Sequence, residues 1–457
     1  MISNELRDRI ERHGQAHLLA ALERLAEPER AALVRQIERI DLAELLALYD
    51  RRLQKDALPQ RERIAPLPFP RIDAGDRREW ITAGTEAFSK GQVAFLIVAG
   101  GQGTRLGFND PKGMFSIGPI SKKPLFQIHA EKVLALNRRY HARFPLLVMT
   151  SPATDAATRL FFKRRNFYRL PPQDIWFFCQ GTMPAVDLAS GRMLLDAPDR
   201  LCLSPNGHGG TITGLLDSGI LDRLDERGVR TIYYFQVDNP LVNLADSLFV
   251  GRHHAEKAEV SSKVLPKTGP KEKVGNFLLV DGRCSMIEYS DLPDDWANEK
   301  DDSGQLKFWA GNPAIHLFNV AFLRKITAEA DRLPWHLARK KVPHLDDAGR
   351  HVQPDTENAL KFERFIFDVL PQAERWTVLA TPRDEEFAPV KNKDGVDSPV
   401  TAQAMMIAQA TRWLRDAGVK VADGAKVEIS PLFALDASDL RKQLTEGRTI
   451  DKDTYLK

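Results

Sequence analysis

Val93-Ala-Phe-Leu-Ile-Val-Ala-Gly-Gly-Gln-Gly-Thr-Arg-Leu-Gly107 is an unbroken apolar run that empties directly into a loop holding four glycines. A run apolar at every position, not at alternate ones, is buried on both faces, as strands of a parallel sheet covered by helices are. Glycines at its end let backbone N–H groups come close to a phosphate or a flat base. Two common spacings can be tested. A dinucleotide loop needs Gly or Ala three residues after Gly103, where Leu106 stands, and an acidic residue for the ribose, yet none occurs between 111 and 130. A Walker loop needs Gly-Lys followed by Ser or Thr, whereas Lys112 is followed by Gly113 and Met114. What remains is a phosphate-handling loop with two cations at hand, Arg105 within it and Lys112 just after it. Fixed cations of this kind suit a triphosphate from which pyrophosphate departs. The bare loop also reads as a tight strand exit with a solvated arginine.

Outward from this stretch the pattern repeats. Leu146-Leu-Val-Met149, Ile175-Trp-Phe-Phe178 and Thr231-Ile-Tyr-Tyr-Phe235 alternate with helix-like segments, which predicts an α/β protein with a mainly parallel central sheet between helices. Between about 259 and 320 strands crowd together, as in Ser262-Lys-Val-Leu265, Phe277-Leu-Leu-Val280 and Met286-Ile-Glu-Tyr289, with Asp281-Gly282 as a turn. This predicts an antiparallel extension and hence a mixed sheet. Residues 4–53 carry apolar positions at helical spacing, including Leu18, Leu22, Leu25, Leu33, Ile37 and Ile40, with Pro28 as a break. Pro59, Pro66, Pro68 and Pro70 then rule out a continuing helix. The expected organisation is a helical N-terminal region with a Pro-rich linker (1–85), a catalytic domain (86–382) and a small C-terminal subdomain (383–457) containing a helix from Thr401 to Asp416.

At 457 residues, with 43% hydrophobic and 28% charged residues, the chain can bury a large core without staples. Lys plus Arg number 65 against 62 Asp plus Glu, a balance that argues against a nucleic-acid binder working through a generally basic surface. Cys179, Cys202 and Cys284 form neither a C-x-x-C pair nor an even set, so no disulfide framework or zinc site is indicated and a reducing compartment is expected. The first residues lack an apolar signal core, and Val93 to Ala99 is too short to span a bilayer, so a cytoplasmic protein without membrane contact is expected.

Ala99-Gly-Gly-Gln-Gly-Thr-Arg-Leu-Gly107 with Pro111-Lys-Gly113 resembles the signature of the eukaryotic-type UDP-sugar pyrophosphorylases, most closely those acting on UDP-N-acetylhexosamine. Further similar stretches follow in order: Pro124-Leu-Phe-Gln127, Phe177-Phe-Cys-Gln-Gly181, Val237-Asp-Asn239, Ile287-Glu-Tyr-Ser290, Ala310-Gly-Asn312 with His316, Phe365-Ile-Phe-Asp368 and Glu386-Phe-Ala-Pro-Val-Lys-Asn392. They span about 100 to 392. The resemblance implies a Rossmann-like nucleotidyltransferase fold of the GT-A type. It also implies a uridylyltransferase that joins UTP to a sugar 1-phosphate, with Mg²⁺ as cofactor and pyrophosphate as the second product.

By the same resemblance, Arg105, Lys112 and Lys391 are the catalytic cations. Gly100, Gly101, Gly103, Thr104, Gln180, Gly207 and Asp238 are the nucleotide-binding positions, and Asp238 is also the metal ligand. An amide such as Gln180 both donates and accepts, as the uracil edge requires, although taken alone it reads as an ordinary strand-end amide. Asp238 taken alone reads equally as a turn residue. The sugar-binding positions are His208, Gly275, Glu288, Asn312, Phe365 and Phe367, and the two phenylalanines also fit core packing. His208, in Gly207-His-Gly209, stands where the acetylhexosamine enzymes carry asparagine and the UDP-glucose enzymes carry histidine. N-acetylglucosamine 1-phosphate is thus the first expected sugar, with glucose or galactose 1-phosphate behind it. A nucleotide-sugar binding protein without turnover is the reading of another class, and retention of Arg105, Lys112, Asp238 and Lys391 together speaks against it.

Overall fold

The computed structural model describes residues 2–53, 58–70, 73–328, 333–444, 447 and 449–457. The chain forms two compact units, one from Met1–Leu58, Gln180–Thr211 and Asp331–Ile366, the other from Pro59–Cys179, Ile212–Ala330 and Phe367–Lys457.

The second unit holds an eleven-stranded sheet. In chain order its strands are β1 (Ile64–Pro66), β2 (Val93–Val98), β3 (Leu146–Thr150), β4 (Ile175–Cys179), β5 (Thr231–Gln236), β6 (Val260–Pro266), β7 (Asn276–Val280), β8 (Arg283–Ile287), β9 (Ala310–Gly311), β10 (His316–Asn319) and β11 (Trp376–Ala380). They lie in the order β1-β7-β9-β6-β10-β5-β2-β3-β4, with β8 added to β7 and β11 to β6. Strands β5, β2, β3 and β4 run parallel, and every residue of β2 and β3 is buried, as their uniformly apolar text requires. Strands β6 to β10 form the antiparallel extension. Asp281 and Gly282 join β7 to β8 with φ of 50° and 78°, the two positive values that a two-residue type I′ hairpin needs. The strand expected over Met286–Tyr289 ends at Ile287, because the chain turns there and Asp291 N–H donates to the Glu288 carbonyl.

Helices α1 (Ala74–Ser89), α2 (Leu125–Tyr140), α3 (Asp155–Arg164), α4 (Ser247–Ala255) and α5 (Pro399–Asp416) belong to this unit. Phe88, Phe95, Phe126, Val133, Phe144, Tyr233, Phe235 and Phe249 share its main core. Helix α5 starts on a Ser398–Thr401 capping box with Pro399 in its first turn, which sets its start two residues before Thr401. Beyond it, Val427–Ile429 pairs with Thr454–Leu456 and Lys420–Val421 with Thr449–Ile450 over a small core that includes Leu414, Val427, Leu440 and Leu456.

The first unit is built on the N-terminal helices Asn4–Arg12, His17–Glu23, Glu29–Glu38 and Leu42–Asp50, and Pro28 caps the third. Their apolar faces pack on Met183, Val186, Met193, Leu201, Trp335, Leu360 and Phe362. A three-stranded sheet of His336–Lys340, Ala359–Glu363 and Val186–Asp187 supplies several of these residues.

Two features secure the sheet unit. Lys263, fully buried on β6, lies 2.7 Å from Asp246 and pairs with Glu386. Burial opposes its charge, but the two carboxylates hold its ammonium above the ordinary lysine range. Helices α1 and α4 meet backbone to backbone, since a Cβ on Gly251 would fall 1.6 Å from the Trp80 carbonyl oxygen and one on Gly84 1.9 Å from that of Ser247. Gly251→Ala is therefore expected to lower stability by about 3 kcal/mol through overpacking. Gly269→Ala, where a Cβ meets nothing within 4 Å, is expected to stay within about 0.5 kcal/mol of the parent. Urea unfolding of the two variants checks the difference.

Candidate functional site

From β2 the chain turns to one side for β3 and β4, then returns to the other side for β5. Such a reversal of order opens a crevice at the carboxyl ends of the two flanking strands, where open α/β sheets place ligands. Val98 is paired with Gln236, and Val237 N–H donates to the Val98 carbonyl at 3.1 Å. The glycine loop after β2 and Asp238 after β5 therefore leave the same edge side by side.

The loop is closed on itself. Gly103 N–H donates to the Asp110 carbonyl at 3.0 Å and Lys112 N–H to that of Gly101 at 3.1 Å, while the Ser151 hydroxyl donates to the Gly100 carbonyl at 2.8 Å. Thr104–Leu106 form a 3-10 turn ended by Gly107 at φ 70°. The glycines differ in what they do. A Cβ on Gly103 would meet Phe108 at 2.7 Å, so this glycine serves the loop's own packing, whereas Gly101 is exposed and has nothing within 4 Å. Thr104 and Arg105 are exposed, and Arg105 has no ion pair among the described residues.

Lys112 opens a second 3-10 turn, Lys112–Met114, and its Nζ lies 3.0 Å from Asp238 Oδ2, with side-chain exposures of 15% and 14%. Burial alone would raise the Asp238 carboxyl, but Lys112 and then Lys391 overcome it and hold the group below the ordinary carboxylate range. Lys391, 3.7 Å from Asp397, stays one-third exposed. It is brought there by a stitched backbone: Val390 N–H donates to the Asp238 carbonyl at 2.9 Å, Asn239 Nδ2 donates to the Glu386 carbonyl at 2.7 Å, and Ala388 N–H donates to Asn239 Oδ1 at 3.1 Å. Among the described residues no group of three His, Cys, Asp or Glu gathers as a metal cage. A single ionised carboxylate suits a magnesium ion that takes its other ligands from phosphates and waters.

Three of the four sugar positions expected in this unit are brought together by strand register. Asn276 is opposite both Ile287 and Gly311, so Gly275, Glu288 and Asn312 lie one step beyond on neighbouring strands. Asn312 N–H donates to the Gly275 carbonyl at 2.9 Å, and its Oδ1 accepts from Ala314 N–H at 2.8 Å. Phe367 is buried in this unit, as core packing would have it.

Gln180, Gly207, His208 and Phe365 belong to the other unit. Gly207 has φ 82°, and a Cβ there would fall 2.4 Å from the Arg364 carbonyl oxygen, so only glycine fits. Gln180 is buried. Ile366 N–H donates to His208 Nδ1 at 3.0 Å, which leaves the proton on Nε2, and burial pushes the imidazolium down to about 4. His208 is thus a neutral ring of fixed tautomer, not a group titrating near neutrality. Phe365 stacks on His336 with ring centroids 4.4 Å apart and lies 5.4 Å from the His208 ring.

Sequence reasoning missed His129 and Lys132 on α2, together with Asn239, Glu386 and His336. Asn239 and Glu386 stand at the edges of Val237-Asp-Asn239 and Glu386-Phe-Ala-Pro-Val-Lys-Asn392, so closeness in sequence to Asp238 and Lys391 was their signal. His129, Lys132 and His336 carried none.

The sequence pattern of the UTP–glucose-1-phosphate uridylyltransferase family matches residues 50–448. The human UDP-N-acetylhexosamine pyrophosphorylase-like protein 1 is 36% identical over 99% of this chain and 96% of its own. The UDP-N-acetylglucosamine pyrophosphorylase of Saccharomyces cerevisiae is 36% identical over 85% of this chain and 84% of its own. Among solved structures, the uridine diphosphate N-acetylglucosamine pyrophosphorylase of Trypanosoma brucei in complex with inhibitor superposes with a TM-score of 0.82 at 30% identity, covering 100% of this chain and 99% of that one. Both the expected resemblance and the expected nucleotidyltransferase fold are borne out: the chain belongs to the UTP–glucose-1-phosphate uridylyltransferase family, the UDP-sugar pyrophosphorylases.

Proposed function

We propose that the protein joins UTP to N-acetylglucosamine 1-phosphate, giving the UDP-sugar and pyrophosphate. The observation that carries this reading is the Lys112–Asp238 pair at the switch point, with Lys391 stitched beside it and the open Gly101 backbone next to it. The sugar phosphate oxygen attacks the α-phosphorus of UTP in line, so no covalent enzyme intermediate is required. Lys112, Lys391 and the exposed Arg105 neutralise charge as pyrophosphate leaves, and the N–H groups of the glycine loop hold the nucleotide. Asp238, kept ionised by the two lysines, holds magnesium, which when bound screens the phosphate oxygens. Gly275, Glu288 and Asn312, clustered by register, face the sugar hydroxyls with amide and carboxylate groups. No helix among the described residues is long and apolar enough to cross a membrane. We place the protein in the cytoplasm, in keeping with its three free cysteines.

A second reading, glucose 1-phosphate as substrate, is favoured by His208, a fixed ring donor where the acetylhexosamine enzymes have an amide. Pyrophosphate release from UTP and Mg²⁺ with N-acetylglucosamine, glucose and galactose 1-phosphates decides between them, and the first is expected to be fastest. Preference for glucose would assign the pocket to the second reading; UDP-sugar binding without release from any sugar would make this a binding protein. His208→Asn is expected to raise the acetylated-to-plain sugar ratio in kcat/KM by about tenfold.

Lys112→Ala is expected to lower turnover about 10²- to 10³-fold, since it removes a donor from the charge that develops in the transition state. Lys391→Ala is expected to lower it by about tenfold or more. Near-normal turnover in the second variant would remove Lys391 from the catalytic cations.

A further inference from the structure

Helix α2 packs against the residues next to both members of the Lys112–Asp238 pair, Gly113 on one side and Val237 on the other. In its first turn, Phe126 lies so close to Gly113 that a Cβ on the glycine would fall 2.3 Å from the ring, which seats the Lys112–Met114 turn directly on the helix. One turn on, the fully buried His129 donates from Nε2 to the Val237 carbonyl at 2.9 Å. Lys132 follows three residues later and donates from Nζ to the carbonyls of Pro240 at 2.6 Å and Val242 at 2.7 Å. The spacing of three puts both donors on one helix face.

The backbone they grip is the one that carries Asp238. Val390 N–H takes the Asp238 carbonyl and Val242 N–H that of Asn239, so the carbonyls of 237, 238, 239, 240 and 242 all have named donors. Three of those donations come from α2 side chains. An apolar residue of similar volume at either position would avoid desolvating a polar group, since His129 is fully buried against the Phe235 ring and Lys132 is partly buried. What their donors supply is the position of the following loop relative to Lys112.

We propose that His129 and Lys132 are positioning residues, which fix Asp238 against Lys112 and thereby set the affinity of the site for the metal–nucleotide complex. This rests on the reading of Asp238 as metal ligand. Supports of this kind behind a ligand are worth about 10- to 100-fold in metal affinity.

The test measures Mn²⁺ binding directly, by electron paramagnetic resonance in the presence of UTP, beside UTP binding without metal. Lys132→Met and His129→Phe keep the volume and remove the donors. Each is expected to weaken Mn²⁺ binding about tenfold while leaving metal-free UTP binding within about twofold of the parent. Lys132→Gln, which keeps an N–H donor near the two carbonyls, is expected to recover most of the loss, and His129→Phe carries the test should Lys132→Met not fold. Mn²⁺ binding within about twofold of the parent in Lys132→Met and His129→Phe, or an equal loss of UTP binding without metal, would overturn the proposal. Asp238→Asn separates this outcome from failure of the underlying reading. If Asp238→Asn binds Mn²⁺ like the parent, Asp238 is not the ligand. If it loses Mn²⁺ while Lys132→Met and His129→Phe do not, the positioning role alone is wrong.

Discussion

The parallel pairing of β2 with β5 is the constraint on which the site depends. Six residue pairs, from Val93 with Thr231 to Val98 with Gln236, run without a bulge, so the two strand ends are level to within one residue. Because β3 and β5 flank β2 on opposite sides, no crossover covers the ends, and the chain leaves β2 as glycines and β5 as an aspartate. Both faces of β2 are buried, so a slip of one residue would exchange the side chains packed under the two covering layers. Register and crevice are thus set by the same apolar packing.

Charge follows from that frame. Asp238 is desolvated at the strand end and stays ionised because two lysines reach it from segments far apart in sequence, one after the glycine loop and one near the C-terminal end of the unit. The segment bearing Lys391 is in turn anchored by Glu386, whose side chain pairs with Lys263 in the sheet and accepts from Asn243 N–H at 3.1 Å. A buried carboxylate and a buried ammonium are tolerable only together, and removing either leaves an uncompensated charge. The same residues therefore hold the β5 loop, the C-terminal segment and the sheet in one arrangement.

Much of this was legible in the sequence. A uniformly apolar run can be satisfied only by burial on both faces, which gave β2 and its neighbours, and Asp281-Gly282 carried the positive φ values of its hairpin. Asp238 and Lys391 were identified through resemblance, but the bonds of Asn239 that join their segments were invisible, since spacing along a chain says nothing about which distant carbonyl an amide finds. Helical periodicity showed that residues 4–50 have an apolar face. It did not show that Met183, Leu201 and Phe362 lie against that face, because periodicity reports a surface and not its partner. His129 and Lys132 belong to no motif that sets them apart in a helix-like segment, and the fixed tautomer of His208 depends on a backbone N–H 158 residues away.

The N-terminal helices are consequently not an appendage that could be trimmed. Leu18, Leu22, Leu33 and Ile37 supply one wall of a core whose other wall, from Met183 to Leu201 and from Trp335 to Phe362, is read from the message much later. While the ribosome is making β2, β3 and β4, those leucines have no counterpart to cover them. Contacts so distant in sequence form slowly, and greasy surface left waiting invites clumping with other nascent chains. A truncated protein starting near residue 60 would carry the mirror fault, with the orphaned wall permanently bare in the middle of an otherwise intact enzyme.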